Sequence, residues 1–116
     1  MVKPEKVDVA VLTKNSERML ERCLVSIYEN VPINKLIVVD GYSTDSTVEI
    51  LERFQRKYGN IKLIRTHGTR GYARQIALNH VETEWFMFVD SDVILCKNWF
   101  ERLLDMWMTV LEPCGA

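Results

Sequence analysis

Four short polar segments carry the side chains in this sequence that are best suited to chemistry. They are Thr13-Lys14-Asn15, Asp40-Gly41-Tyr42-Ser43, the pair Arg70 and Arg74, and Asp90-Ser91-Asp92. Hard divalent cations such as Mg²⁺ and Mn²⁺ take oxygen ligands, usually one or two carboxylates together with substrate phosphates. The two arginines are four residues apart, so on a helix both can face one anion, and their planar guanidinium groups suit phosphate oxygens. The set therefore combines two acidic points with two basic points.

These segments follow runs of residues that predict β-strands. Apolar runs predict strands over 7–13, 35–40, 61–65 and 85–90, and helical spacing predicts helices between them and after the last one. Predicted helix starts lie at Asn15 or Ser16, at Thr44 or Asp45, near Tyr72, and at Asn98. The second helix is expected to bury Val48, Leu51, Phe54 and Tyr58.

This alternation of strands and helices predicts an α/β fold, with a parallel sheet and helices on both of its faces. In such sheets, ligands bind beyond the carboxyl ends of the strands. The four polar segments are therefore expected to meet at one edge of the sheet.

Composition narrows the class of protein. The 116 residues fit one small domain or part of a larger one, with 15 Lys and Arg against 16 Asp and Glu and a formal charge of -1. This balance argues against nucleic acid as a partner. The 3 cysteines lack metal-ligand spacing, and no apolar run resembles a signal peptide or reaches the roughly 18 residues of a membrane span. A cytoplasmic protein is expected.

The ordered motifs resemble those of inverting family 2 glycosyltransferases with the GT-A fold. Residues 38–47 (VVDGYSTDST) resemble the family segment VVDDGSTDxT, and residues 71–75 (GYARQ) resemble its G…ARN segment. Residues 88–92 (FVDSD) resemble its hhDxD motif, and residues 11–15 (VLTKN) stand where the family carries PTYN. The likeness runs from residue 7 to about residue 112, and it implies a GT-A (Rossmann-like) sheet that is incomplete in this chain.

The resemblance implies a role for each matching residue. Asp40 would bond the edge of the nucleobase, with Thr13 and Asn15 beside the nucleotide, and Arg74 would contact the base or the diphosphate. Asp90 and Asp92 would bind the ribose and a divalent metal, Mn²⁺ or Mg²⁺, and Arg70 is grouped with the nucleotide contacts. Lys14 replaces an aromatic residue that often stacks on the base, so Tyr42 is expected to supply a substitute stacking face.

The resemblance also implies a donor and an incomplete enzyme. The donor would be a UDP- or GDP-linked sugar, and the acceptor is unidentified, with a lipid-linked acceptor and a peripheral position at the membrane compatible with the family. The family's general base follows DxD by many residues. Here Glu101, Asp105 and Glu112 match no such motif. Residues 1–116 are therefore predicted to be the nucleotide-sugar-binding half of a transferase, completed by a missing C-terminal half or a partner chain.

Two other functions remain open from the sequence. The fragment is alternatively a nucleotide-binding or interaction module without turnover. Residues 86–93 (FMFVDSDV) also match the hhhhDxDx[TV] signature of haloacid dehalogenase-like phosphatases, in which Asp90 would be the nucleophile and Asp92 the acid or base. That motif normally opens its fold, whereas here it comes near the end of the chain.

Overall fold

The computed structural model describes residues 5–111, with side chains for residues 5–106. The strands are β1 (Val7–Thr13), β2 (Ile33–Asp40), β3 (Ile61–Arg65) and β4 (Phe86–Phe88), and the helices are α1 (Glu17–Asn30), α2 (Thr47–Tyr58), α3 (Arg70–Asn79) and α4 (Trp99–Leu111). The side chains of Trp107, Val110 and Leu111 and the whole of Glu112 lie outside the described residues. Each predicted strand and helix is present.

All four strands are parallel and lie in the order β3-β2-β1-β4. Parallel neighbours need a crossover connection, and the helices supply it. In the register, Thr13 lies opposite Asp40, and Asp40 lies opposite Arg65. The carboxyl ends of β1, β2 and β3 therefore finish at the same level. This confirms the expected meeting of polar segments at one edge of the sheet.

The main core lies on one face of the sheet, under α1, α2 and α4. Alternate strand residues such as Val9, Val11 and Val38 pack there against Leu20 of α1 and Leu51 of α2. Burial of these aliphatic side chains stabilises the fold by roughly 1.5–3 kcal/mol each. The period-two alternation of the strands leaves the other face to α3.

The second face of the sheet is covered by α3 over its centre. Ala77 of α3 packs on Ala10, Ile37 and Val39. The edge strand β4 is shorter than predicted, and its Phe86 and Phe88 rings are 43% and 38% exposed. These rings share the α3 face because Phe88 lies opposite Ala10 in the register.

Two details differ from the sequence prediction. The buried face of α2 consists of Thr47, Ile50, Leu51 and Phe54, whereas Val48 is half-buried and Tyr58 is 40% exposed. The third helix begins at Arg70, two residues early, because the Thr69 side chain accepts a hydrogen bond from the backbone N–H of Tyr72. Within residues 5–111, no helix combines the length and the apolar content that crossing a bilayer requires.

Candidate functional site

The ends of β1 and β2 are joined by a buried hydrogen-bond network around Asp40. One carboxylate oxygen accepts from the hydroxyls of Thr13 and Ser43, each at 2.6 Å. The other accepts from the Ser43 backbone N–H at 2.8 Å and from Arg65 Nε at 3.3 Å. Burial alone would raise the pKa of Asp40, but the bonds from Ser43, Thr13 and Arg65 outweigh it, and the net pKa is lowered.

Asp40 therefore has a structural role in place of the expected contact with a nucleobase. Its side chain has no exposed surface, and its two oxygens already accept four hydrogen bonds. A carboxylate has about four lone-pair sites, so none is left for a nucleobase. The geometry does not support the predicted base contact. Thr13 is likewise buried, with its hydroxyl committed to Asp40.

The loops after β1 and β2 are bound to each other by reciprocal hydrogen bonds. Asn15 Oδ1 accepts from the backbone N–H of Thr44 at 2.7 Å, and the Asn15 N–H donates to Ser43 Oγ at 2.8 Å. The Asp45 carboxylate accepts from the N–H groups of Thr47 and Glu17, so one side chain caps both α2 and α1. The N-cap position of α2 is held by Ser46, one residue after the predicted Asp45, although the Asp45 carboxylate does accept from the first N–H of the helix. Asn15, predicted as a nucleotide contact, helps to fix the loop.

Beside this network lies a cleft of about 320 Å³, here called the first cleft. Its apolar lining comes from Leu12, Val39 and Ala73, residues of β1, β2 and α3. Lys14 and Arg70 supply its charged groups. The remaining lining side chains are polar. The cleft therefore has an apolar wall against which a flat ring can pack and polar groups that can fix the ring's orientation.

A second cleft of about 580 Å³ adjoins the first and carries both charges of the predicted pattern. Asp90, Asp92, Arg18 and Arg70 line it. The two clefts share Ser16, Arg70 and Ser91. Both carboxylates are exposed, and within residues 5–106 no third acidic, histidine or cysteine side chain joins them as a metal ligand.

The donor set of the second cleft fits a hard divalent cation. Two exposed carboxylates supply oxygen ligands, and Mg²⁺ and Mn²⁺ usually complete their coordination with water and substrate phosphates rather than with an all-protein cage. Arg18 and Arg70 lie in the same cleft, where a diphosphate would need counter-charge. The chemistry of these residues is therefore compatible with a metal-bound diphosphate.

Of the predicted nucleotide contacts, Thr13 lines the first cleft and Asn15 lines the second, whereas Arg74 and Tyr42 line neither. The Arg74 guanidinium lies 5.9 Å from the centroid of the Phe88 ring, so the two arginines do not converge on one anion here. The Tyr42 ring stacks on His67 at 4.2 Å, and the Arg65 guanidinium lies 4.8 Å from its centroid. The ring expected to stack on a base is thus engaged within the protein.

Several lining residues escaped sequence reasoning. Arg18 lies in the first turn of α1 and reaches the second cleft, while Thr66, Gly68 and Thr69 wall the first. The sequence held a signal for Arg18, because the first turn of a helix that follows a strand faces the ligand edge of the sheet. For the 66–69 loop there was only its position between β3 and α3.

Both clefts lie at the carboxyl edge of the parallel sheet, which is where α/β proteins of this architecture bind their ligands. The chain belongs to glycosyl transferase family 2, whose family model matches residues 8–109. This places it in an enzyme family, confirms the resemblance in the motifs, and leaves the phosphatase alternative unfavoured.

Relatives in sequence and structure agree with this assignment. Poly(ribitol-phosphate) beta-N-acetylglucosaminyltransferase TarS of Staphylococcus aureus (strain Mu50) is 37% identical over 99 residues, which cover 80% of this chain and 17% of TarS. The crystal structure of S. aureus TarS 1-349 in complex with UDP has a TM-score of 0.73 at 29% identity, covering 90% of this chain and 32% of that one.

A third likeness extends over nearly the whole chain. The mannosyltransferase PcManGT from Pyrobaculum calidifontis, in complex with GDP-Man and Mn²⁺, has a TM-score of 0.76 at 25% identity and covers 97% of this chain and 34% of that one. The predicted GT-A fold is thereby confirmed. The chain spans about a sixth of TarS and about a third of the two solved chains.

Proposed function

We propose that this chain is the donor-binding portion of a family 2 glycosyltransferase. A UDP- or GDP-linked sugar lies across the two clefts, with a divalent cation at Asp90 and Asp92, for inverting transfer of the sugar to an acceptor hydroxyl. The observation that carries the proposal is the junction of the clefts, where a polar cleft with one apolar wall meets a cleft of two carboxylates and two arginines. The UDP and the GDP-Man with Mn²⁺ that the solved neighbours contain support the same ligand class.

The ligand's own chemistry divides it between the clefts. The nucleobase is flat and partly apolar, which suits the wall of Leu12, Val39 and Ala73. The diphosphate is anionic, which suits Arg70 at the junction and Arg18 beyond it. When bound, a divalent cation at Asp90 and Asp92 would supply Lewis-acid stabilisation of the diphosphate leaving group.

Polar residues at the ends of β1 and β2 keep these clefts in shape. We assign Asp40, Thr13 and Asn15 to positioning the loops after β1 and β2, because their polar atoms bond to one another and to the neighbouring backbone. Tyr42 and Arg74 would contact a nucleotide only after leaving His67 and Phe88. Arg70, Asp90 and Asp92 need no such rearrangement.

Transfer also needs a general base and an acceptor site. Glu101 and Asp105 lie on α4, and neither lines a described cleft. Because the chain covers about a third of its solved relatives, we propose that the general base is supplied by a C-terminal half or by a partner chain. A lipid-linked acceptor, a cytoplasmic location and a peripheral position at the membrane stay predictions.

The test is calorimetric titration of the chain with UDP and with GDP, each with and without Mn²⁺. Asp92→Asn removes one charge from the second cleft and should abolish the metal-dependent part of the affinity. Asp105→Asn removes the same charge from α4 and serves as the matched control, with affinity unchanged.

The titrations have three informative outcomes. Metal-dependent affinity that is lost in Asp92→Asn and retained in Asp105→Asn would support the donor site. The nucleotide that binds more tightly would identify the donor's nucleobase. A wild-type chain with a cooperative unfolding transition but no affinity for either nucleotide would refute the donor site. If the chain binds a nucleotide but transfers no sugar from the matching nucleotide-sugar to water or a polyol in a separate assay, it would match the module without turnover. The donor site would still be supported.

A further inference from the structure

The first cleft is cationic, because Lys14 and Arg70 line it and no acidic side chain among the described residues does. Its charged groups are Lys14 and Arg70, and Arg70 also belongs to the second cleft. Among the described residues, Lys14 is thus the one charged side chain that lines the first cleft and not the second. The Asp40 carboxylate nearby is saturated and buried. A ligand in this cleft therefore meets a charged donor, and it meets no carboxylate acceptor.

Lys14 is available to a ligand. Within residues 5–106 its ammonium group has no hydrogen-bond or ion-pair partner, and the side chain is exposed. Its backbone, by contrast, is fixed, since the Lys14 N–H donates to Ser16 Oγ at 3.1 Å. The side chain itself is flexible, so binding a ligand would order its four-carbon stem at a cost in side-chain entropy.

Gly41 lets the Lys14 stem cross the end of β2. A Cβ built at Gly41 would lie 3.0 Å from Lys14 Cδ and 3.8 Å from Lys14 Cβ. Gly41 does not have a positive φ, so glycine is not required there by the backbone. The absence of a side chain at residue 41 therefore leaves room for the lysine, and the two residues act together.

We propose that Lys14 selects the nucleobase of the donor by donating a hydrogen bond to a carbonyl oxygen on the base edge. This inference rests on the proposed function, because it takes the first cleft to hold the base. Uracil carries a carbonyl oxygen at its fourth position, where cytosine carries an amino group. An ammonium group donates to the oxygen, but it cannot donate to an amino group that is itself a donor. Guanine also carries a carbonyl oxygen, at its sixth position. Lys14 would thus favour a UDP- or GDP-linked donor over a CDP-linked one.

The test compares UDP, CDP and inorganic pyrophosphate by calorimetry in the presence of Mn²⁺. Hydrogen bonds to charged groups imply that the wild-type chain should prefer UDP over CDP by about tenfold or more. Lys14→Met keeps an unbranched stem over Gly41 and removes the charge. It should bring UDP to the affinity of CDP and leave pyrophosphate, which has no base, unchanged.

Gly41→Ala is an independent second variant. Its methyl group would lie 3.0 Å from Lys14 Cδ, so the flexible stem would have to shift by a few tenths of an ångström. The UDP preference should therefore fall by less than in Lys14→Met, while pyrophosphate affinity holds. Thermal unfolding of both variants verifies that they are folded.

Three results would overturn the inference. Equal wild-type affinity for UDP and CDP would mean that the base edge is not read. Equal losses of UDP and pyrophosphate affinity in Lys14→Met would assign the lysine to phosphate. In both cases the proposed donor site survives. If the wild-type chain binds neither nucleotides nor pyrophosphate, the proposed function fails and this inference falls with it.

Discussion

Replacing Asp40 with asparagine should destabilise the fold through the network that joins β1 to β2. The asparagine amide has the carboxylate's shape, but one of its two polar ends is a donor. At the Oδ2 position an amide NH₂ would face two fixed donors, the Ser43 N–H and Arg65 Nε. At the Oδ1 position it would face the hydroxyls of Thr13 and Ser43, which can rotate to accept. The second orientation is therefore expected.

The magnitude follows from what that orientation loses. All bonds are kept, but the three from Thr13 and Ser43 change from charge-assisted to neutral, a loss of about 1 kcal/mol per bond. Arg65 is 37% exposed, so its bond is screened by solvent and counts little. Three buried bonds remain, and relief of the buried charge offsets part of the loss. We expect Asp40→Asn to lower the free energy of unfolding by about 2 kcal/mol at pH 7.

The pH dependence provides a second check on the same network. The pKa of Asp40 is lower in the folded chain than the unfolded value of about 3.9, so the carboxylate contributes stability above that value. The contribution is lost as the pH falls through the folded pKa. Urea unfolding should therefore show the gap between wild type and Asp40→Asn narrowing between pH 7 and pH 3.5, by at most about 0.7 kcal/mol, the limit set by the unfolded pKa.

Asp92→Asn is the matched control for stability. Its carboxylate is exposed, so the free energy of unfolding should change by no more than about 0.5 kcal/mol. The reasoning is refuted if Asp40→Asn and Asp92→Asn unfold at the same urea concentration at pH 7. It is equally refuted if the gap between wild type and Asp40→Asn widens as the pH is lowered.

Three further predictions concern other parts of the fold. Thr69→Ala removes the cap of α3, whose oxygen accepts from Tyr72 N–H at 3.1 Å, and should lower the free energy of unfolding by about 1 kcal/mol in urea, with Thr69→Ser losing much less. Gly59→Ala places a methyl group in open space at a φ of 76°, so a loss of about 1 kcal/mol would reflect backbone strain alone, and an unchanged urea midpoint would contradict it. Burial, followed by the nearby Asp92 and Asp90 charges, raises the pKa of the Cys23 thiol to about 11, so at pH 8 iodoacetamide should modify the exposed Cys96 first and Cys23 only on unfolding, as peptide mass mapping would show.

The alternation of strands and helices was readable because it depends on local patterns. Apolar runs with β-branched residues marked β1 and β2, and helical spacing marked the buried side of α1. The rule that ligands bind at the carboxyl ends of parallel strands then placed Asp90, Asp92 and Arg70 at one edge. These three residues needed only the correct order of elements.

The roles of Asp40, Tyr42 and Arg74 depended on contacts between segments that are far apart in the chain. Asp40 meets Thr13 and Arg65, 27 and 25 residues away, and those contacts bury it and use its oxygens. The sequence pattern of an aspartate at the end of a strand is the same whether its carboxylate faces a ligand or bonds to neighbouring residues. Tyr42 and Arg74 likewise found partners in His67 and Phe88.

The sequence by itself determined the family, the sheet and the acidic pair, because ordered motifs and hydrophobic periodicity are properties of the chain read locally. The tertiary structure alone decided which polar atoms are hydrogen-bonded within the protein and which remain available to a ligand. Hydrogen-bonding capacity is finite, and a side chain saturated by its neighbours has none to offer. That accounting leaves Asp40 in the framework and Lys14 free in the first cleft.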